Sequence, residues 1–211
     1  MSVLPEDVNI SLTQLVGGLS SADNVVRSKA EKILETEWSS KADVEVLLAF
    51  LAEQASIPHS NMNAFCAVLF RRIAIKSPKE ISSVTDRTIG IISEPAKKQI
   101  RSILLRGFTS QQNNYLRHKI SDAISEVAKI DASPSGTWNE LLPTLFECTS
   151  NADPNFRESA FRVFSTVPEL IDKSYMNDVM MVFNSGFVDS NDDVRIAACI
   201  AFVAFFRDLP K

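Results

Sequence analysis

The 211 residues are 45% apolar and 23% charged, with only 6 glycines and 9 prolines, which excludes a fibrous or low-complexity chain. A formal net charge of −4 argues against a nucleic-acid sleeve, which shows a basic face, and suits a basic partner. The length fits either one compact domain or five units of about 40 residues.

Taken in chain order, the apolar periodicity predicts helices throughout. Residues 5–19 place Val8, Leu12, Leu15, Val16 and Leu19 on one side, with Gly17 and Gly18 weakening the last turn. A turn at 20–23 leads into a helix over 24–38. The next helix, 41–55, turns Val44, Leu47, Leu48 and Leu51 inward. A tight connector at 57–60 precedes a helix over 62–76, whose helical spacing is carried by Phe65, Ala67, Val68, Leu69 and Ile73. Ser77-Pro78 breaks it, and residues 77–93 read as a longer connection with a short helix. Helices follow over 94–108, with Pro95 in the first turn, and over 113–130. A loop at 132–136 separates these from helices over 138–149, 154–171, 174–188 and 192–209. No segment alternates with the period of two expected of a strand.

The segment 151–167, NADPNFRESAFRVFSTV, states the repeating unit. Asp153 is an N-cap, Pro154 opens the helix, and Arg157 follows an apolar Phe156. Core positions then fall at Ala160, Val163 and Phe164. Asp23 with Arg27, Asn113 with Arg117, and Asn191 with Arg195 repeat the arrangement, with a polar residue four before each arginine. The arginines are spaced by 90, 40 and 38 residues, so the first interval has room for one degenerate copy. A period near 40 with two helices per unit is that of the HEAT/armadillo solenoids. The expected architecture is all-α, a right-handed α-solenoid of about five HEAT-type helix pairs over residues 5–38, 41–76, 94–130, 138–171 and 174–209. The four arginines are expected to be structural, each packing against its neighbouring repeat and fixing register rather than forming a binding ladder.

No chemistry-bearing motif appears. Cys66, Cys148 and Cys199 are far apart in apolar surroundings and are expected to be small buried hydrophobes in a reducing compartment. His59 and His118 have no second histidine one turn away, so no metal site is expected. Ser121 and Asp122 beside His118 point in different directions on one helix, which is not a triad. Gly17-Gly18 has no phosphate-loop sequence after it. The chain is expected to be no enzyme and to take no cofactor. Its start lacks the features of a signal peptide, and the longest apolar run, 196–206, is eleven residues, too short to cross a bilayer. That run is apolar nearly all round. It is therefore expected to be covered on both sides, by a following repeat or by a second copy, and the chain to be the N-terminal piece of a longer array.

Particular strings carry a resemblance. Val26-Arg27-Ser28-Lys29-Ala30-Glu31-Lys32-Ile33-Leu34 followed by Trp38 resembles the opening repeat of the karyopherin-β (importin-β) nuclear transport receptors. Phe50–Gln54 and Ala67–Ala74 resemble their second repeat. Gln99–Phe108 (QIRSILLRGF), Leu116–Ile124 (LRHKISDAI) and Asn155–Ile171 are similar to the importin subunit beta-3 branch, as in the fungal karyopherins. The resemblance implies an import receptor whose N-terminal repeats bind the GTP form of Ran on the second helices and couple it to cargo release. It implies FG-repeat nucleoporins as further partners, basic-signal cargo proteins held mostly by repeats beyond this chain, and shuttling between cytoplasm and nucleus. Neither nucleic acid nor membrane is an expected partner.

The exposed side of the second helices then supplies the candidate contacts. These are Asn63, Cys66, Phe70 and Arg71 on 62–76; Lys119, Asp122, Ser125, Glu126 and Lys129 on 113–130; and Glu158 and Arg162 on 154–171. For each one, ordinary solvated surface is the competing reading, and for Phe70 the core. The competing reading of the whole chain is a generic HEAT scaffold, such as a phosphatase regulatory subunit, binding a different protein. A helical enzyme would need a pocket with convergent titratable groups, and the sequence offers none.

Overall fold

Four turns of the chain carry the same local instruction. Asp23, Asn113, Asp153 and Asn191 each accept backbone N–H groups from the helix that follows, through the side-chain oxygen. This satisfies donors that a helix N-terminus leaves unpaired. Four residues later stands an arginine, a poor choice for a first turn because the helix dipole is positive there. Each arginine offsets this by folding back to the carbonyl six residues before it. Arg27 donates to Ser21 at 2.9 Å, Arg157 to Asn151 at 2.8 Å and Arg195 to Asp189 at 2.6 Å. Arg117 does the same to Gln111. The guanidinium thus ties the inter-helix turn to the helix it precedes.

The computed structural model describes residues 4–58, 60–76, 87–131, 138–170 and 176–208. His59 and the loop expected at 132–136 lie outside the described residues. The helices are α1 (Glu6–Leu19), α2 (Asn24–Glu37), α3 (Lys41–Ser56), α4 (Asn63–Ala74), α5 (Thr88–Ile91), α6 (Glu94–Ser110), α7 (Asn114–Asp131), α8 (Leu141–Thr149), α9 (Pro154–Thr166), α10 (Met176–Phe187) and α11 (Asp192–Asp208). Among the described residues there is no strand.

One helix end that differs from expectation has a visible local cause. α9 stops at Thr166 rather than Ile171, because Pro168 offers no N–H and forces Val167 out of the helical region; a short 3-10 turn, Pro168–Leu170, follows. The short helix expected in the long connection is α5. Thr88 donates through both its N–H and its hydroxyl to the carbonyl of Lys76, at 3.0 and 2.8 Å. Gly17 and Gly18 do not end α1. A Cβ on Gly18 would stand 2.9 Å from the Cβ of Ala30, so this glycine lets α1 and α2 approach.

The chain divides into two compact units, residues 1–104 and 105–211, with the boundary inside α6. In the first, α1 packs on α2, α3 on α4, and α1 on α3. Six successive residues of α3, Leu47 to Ala52, are buried, which fits a helix enclosed on most sides. Glu45 pins the start of α6, accepting from Ser93 N at 2.6 Å and Ser93 Oγ at 2.9 Å.

In the second unit α8 packs on α9 and α10 on α11, as first and second helices of successive pairs. The second helices α7, α9 and α11 lie side by side in that order, and α8 touches α10. The core between these layers is a chain of phenylalanines: Phe146, Phe161, Phe164, Phe183, Phe187, Phe202 and Phe205 have neighbouring ring centroids 5.4–6.4 Å apart. Gly186 makes room for it, because a Cβ there would come within 2.6 Å of Phe161 Cζ and 2.7 Å of Ala198 Cβ.

Within the described residues the burial expected of Cys199 is corrected, and one side of α11 lies open where a following repeat or a second copy was expected to cover it. Ile196, Ile200, Val203 and Phe206 are each more than half exposed, and Cys199 lies among them, exposed rather than buried. The core side of α11 is instead Val194, Ala198, Ala201 and Phe205. Cys66 and Cys148 are buried as expected, and burial pushes their thiols up to about 12 and about 11, so both stay protonated.

Candidate functional site

The outward side of α7 and α9 is joined by two polar rungs, each linking residues 40 positions apart. His118 Nε2 lies 2.6 Å from Glu158 Oε2. One turn on, Arg162 donates to Asp122 Oδ1 from Nη2 at 2.9 Å and from Nε at 3.2 Å. The offset equals one repeat, so equivalent positions of successive second helices meet face to face. Lys119 leans over the ring of Tyr115, with its Nζ 5.2 Å from the centroid.

The corresponding positions one repeat further, 38 residues on in α11, are Ile196 and Ile200. No polar rung is possible there. A cleft of about 360 Å³ opens instead, lined by Asn114 and His118 from α7, Pro154, Asn155 and Glu158 from α9, and Asn191, Asp193, Ile196, Ala197 and Ile200.

Beneath this face the arginines hold the repeats in register. Arg117 is fully buried, its guanidinium 3.6 Å from the centroid of Phe156 in the next repeat. Arg157 reaches across to Asp189 with two bonds, Nε to Oδ2 at 2.7 Å and Nη2 to Oδ1 at 2.8 Å. The hydrogen bonds from Arg157 hold the Asp189 carboxyl below the usual carboxylate range. The expected structural role of these arginines is thus visible, with one refinement: all four clamp their own turn, and Arg117 and Arg157 also engage a neighbouring repeat.

The candidate contacts divide sharply. Arg71 is exposed, and Lys119, Asp122, Lys129, Glu158 and Arg162 are half-exposed on the outward side. Asn63, Cys66 and Phe70 are buried, as are Ser125 and Glu126, so their expected exposure is corrected. α4 is apolar around most of its circumference, and its period fits two orientations. What fixes the orientation is tertiary: α4 packs on α3 with Asn63, Cys66 and Phe70 inward, and the Asn63 amide donates to the carbonyl of Ile57 in the preceding connector at 2.8 Å. The outward strip of α4 is Val68, Arg71, Arg72 and Ile75. Glu126 accepts from Lys129 at 3.4 Å.

His118, read from sequence as isolated, is half of a rung. The partner stands one repeat away rather than one turn away, so a search along one helix misses it; the 40-residue offset was the available signal. Among the described residues no group of three or more His, Cys, Asp or Glu could hold a metal ion. No described helix is long and apolar enough to cross a membrane.

Known proteins match both the sequence and this arrangement. A family model described as IPO5-like, TPR repeats, matches residues 112–211. The observed spacing of 38–40 residues is nearer a HEAT than a TPR period. Importin subunit beta-3 of Saccharomyces cerevisiae is 45% identical over 213 residues, covering 100% of this chain and 19% of that protein. The crystal structure of Kap121p bound to Ste12p aligns with 99% of this chain and 19% of its own length, at 43% identity and a TM-score of 0.85. That of Kap121p bound to RanGTP aligns with 99% of this chain and 18% of its own, at 43% identity and a TM-score of 0.80. The chain therefore spans about a fifth of the length of the relatives it matches. With identity running from end to end and the same course of helices beneath it, the chain belongs to the karyopherin-β (importin-β) family, in its importin subunit beta-3 branch.

Proposed function

We propose that this chain is the N-terminal HEAT-repeat segment, five helix pairs in all, of a nuclear import receptor. It binds the GTP form of Ran through the outward side of its second helices and couples that binding to cargo release. The observation that carries the reading is the alignment of 99% of the chain with Kap121p bound to RanGTP. The chemistry is reversible association, without a covalent step. Stacked helix pairs offer a long surface made of equivalent positions, and a globular partner can bridge several of them. In the second unit those positions are mechanically linked, because Arg157–Asp189, His118–Glu158 and Asp122–Arg162 each join one repeat to the next. A partner that shifts one second helix therefore loads its neighbours. Any such coupling to cargo is reciprocal: cargo weakens Ran by the factor by which Ran weakens cargo. The whole receptor moves between cytoplasm and nucleus and meets FG-repeat nucleoporins in the pore.

The test is retention of Ran by the immobilised 211-residue chain. Ran loaded with a non-hydrolysable GTP analogue is retained and Ran-GDP washes away. Equal retention of both forms, or of neither, refutes the proposal. Arg71→Glu and Lys119→Glu, which reverse exposed or half-exposed charges on two second helices, each weaken retention about fivefold to tenfold.

A further inference from the structure

Two buried N–H groups of one turn lack an acceptor. Arg117 Nε and Gln111 Nε2 make no hydrogen bond among the described residues, and both residues are buried, at 0% and 4% exposure. They belong together, because Arg117 Nη2 donates to the Gln111 carbonyl. The Gln111 amide is fixed in sense: its Oε1 accepts from Asn113 N at 3.1 Å, so the NH2 end is the one left over. Buried donors without partners are rare in folded proteins and costly.

The charge is unmatched as well. In the next repeat Arg157 grips the Asp189 carboxylate with Nε and Nη2, and Asp189 stands six residues before the following arginine. Six residues before Arg157 stands Asn151, so the residue that would answer Arg117 in the same way carries no charge. The hydrogen-bond partners of Arg117 are neutral, the Gln111 carbonyl and Asn114 Oδ1, and the face of Phe156 lies against its guanidinium. Burial depresses the guanidinium below its ordinary value, and Asp153 and Glu158 oppose this only through space. Each of those carboxylates is engaged elsewhere, Asp153 with Asn155 and Glu158 with His118. An arginine keeps its proton in such a place and needs a counter-charge.

This combination selects its occupant. A metal cation would be repelled. A water molecule would fill the donors and leave the charge. A carboxylate on a partner protein cannot reach a fully buried group. A small inorganic anion meets the donors and the charge together.

We propose that the turn between α6 and α7 holds a small inorganic anion of the size and charge of chloride, bound by Arg117 Nε and Gln111 Nε2. The ion neutralises the guanidinium that packs on Phe156 and so secures the register between these two repeats, as the Asp189 carboxylate does for Arg157. The site goes beyond the Ran reading and stands whether or not Ran binds.

The probe is chloride itself. The complete 211-residue chain is melted in sodium chloride and in sodium gluconate, whose anion is bulky, at one ionic strength of about 150 mM, so that screening is the same. The parent melts about 3 °C higher in chloride, and the gain saturates as chloride rises. Gln111→Leu removes the amide donor and Gln111→Glu brings a carboxylate of its own; each loses most of that gain. Gln112→Leu, at the exposed neighbouring position, keeps it and so accounts for general salt effects. A crystal of the parent soaked in sodium bromide gives an anomalous peak within hydrogen-bond reach of Arg117 Nε and Gln111 Nε2, a reading that needs no variant to fold. The proposal is overturned by equal melting in the two salts, by a chloride gain that survives in Gln111→Glu, or by a bromide crystal with no anomalous signal at that turn.

Discussion

α9 and α11 are one repeat apart and begin in the same way, yet they present different faces. Both open with a polar cap, followed by an arginine that reaches back six residues, and both bury an alanine three residues later, Ala160 or Ala198. They part company outside that framework. Three residues before its arginine, α11 has Asp192, which pairs with Arg195; α9 has Pro154, which has no acceptor. Arg157 reaches Asp189 in the following turn and so makes a bond between repeats, whereas Arg195 engages Asp192 and the carbonyl of Asp189. On the outward side Glu158 and Arg162 close rungs, while Ile196 and Ile200 leave a cleft. The turn and the core are thus a common frame, and the outward positions vary without disturbing it. Binding specificity in such a stack resides where the frame places no demand.

The largest effects come from breaking the bond that Arg157 makes between repeats. Arg157→Ala loses both bonds to a mostly buried Asp189 and lowers stability by about 3 kcal/mol, whereas Arg195→Ala costs about 1 kcal/mol; urea denaturation of the two variants measures the gap. The pair also has a pH signature. Asp189 titrates lower when folded than when unfolded, so its contribution is complete above the unfolded carboxyl value, about 3.9, and is lost as pH falls through the folded value. The stability difference between the parent and Asp189→Asn should therefore be level from about pH 5 to 8 and shrink below about pH 4.

Next in size is the close approach that both helices share. Gly186→Ala drives a Cβ against Phe161 and Ala198 and costs about 2 kcal/mol. Gly17→Ala, with nothing within 4 Å, is neutral or stabilising by up to about 1 kcal/mol. Comparing melting temperatures of the two variants separates a packing requirement from a general aversion to replacing glycine.

Smaller still is the effect of giving α11 the outward face of α9. Ile196→Glu with Ile200→Arg creates an exposed pair one turn apart, and stability changes by no more than about 0.5 kcal/mol. A larger loss would show that the outward isoleucines belong to the core. The mildest probe is chemical. Cys199 reacts with a thiol reagent in the native chain, while Cys66 and Cys148 react only on unfolding, since both are buried with thiols raised to about 12 and about 11.

Much of this molecule is legible without its fold, because the frame is local. Caps, prolines and a three-to-four residue apolar period act within one or two turns, so the helices and the repeat near 40 residues follow from the sequence. The strings resembling karyopherins have the same origin. The orientation of α4 does not. Phe65, Cys66, Val68, Leu69 and Phe70 allow more than one inward side, and the choice rests on how α4 packs against α3. In α11 hydropathy records what the helix could bury, whereas the neighbours present decide which side is covered: Val194, Ala198, Ala201 and Phe205 are buried here, and Ile196, Ile200, Val203 and Phe206 are open. Likewise, no single-helix pattern joins His118 to Glu158 or opens a cleft beside Ile196. Those contacts depend on the pitch between helices 40 residues apart in sequence, which side-by-side packing sets and local periodicity leaves free.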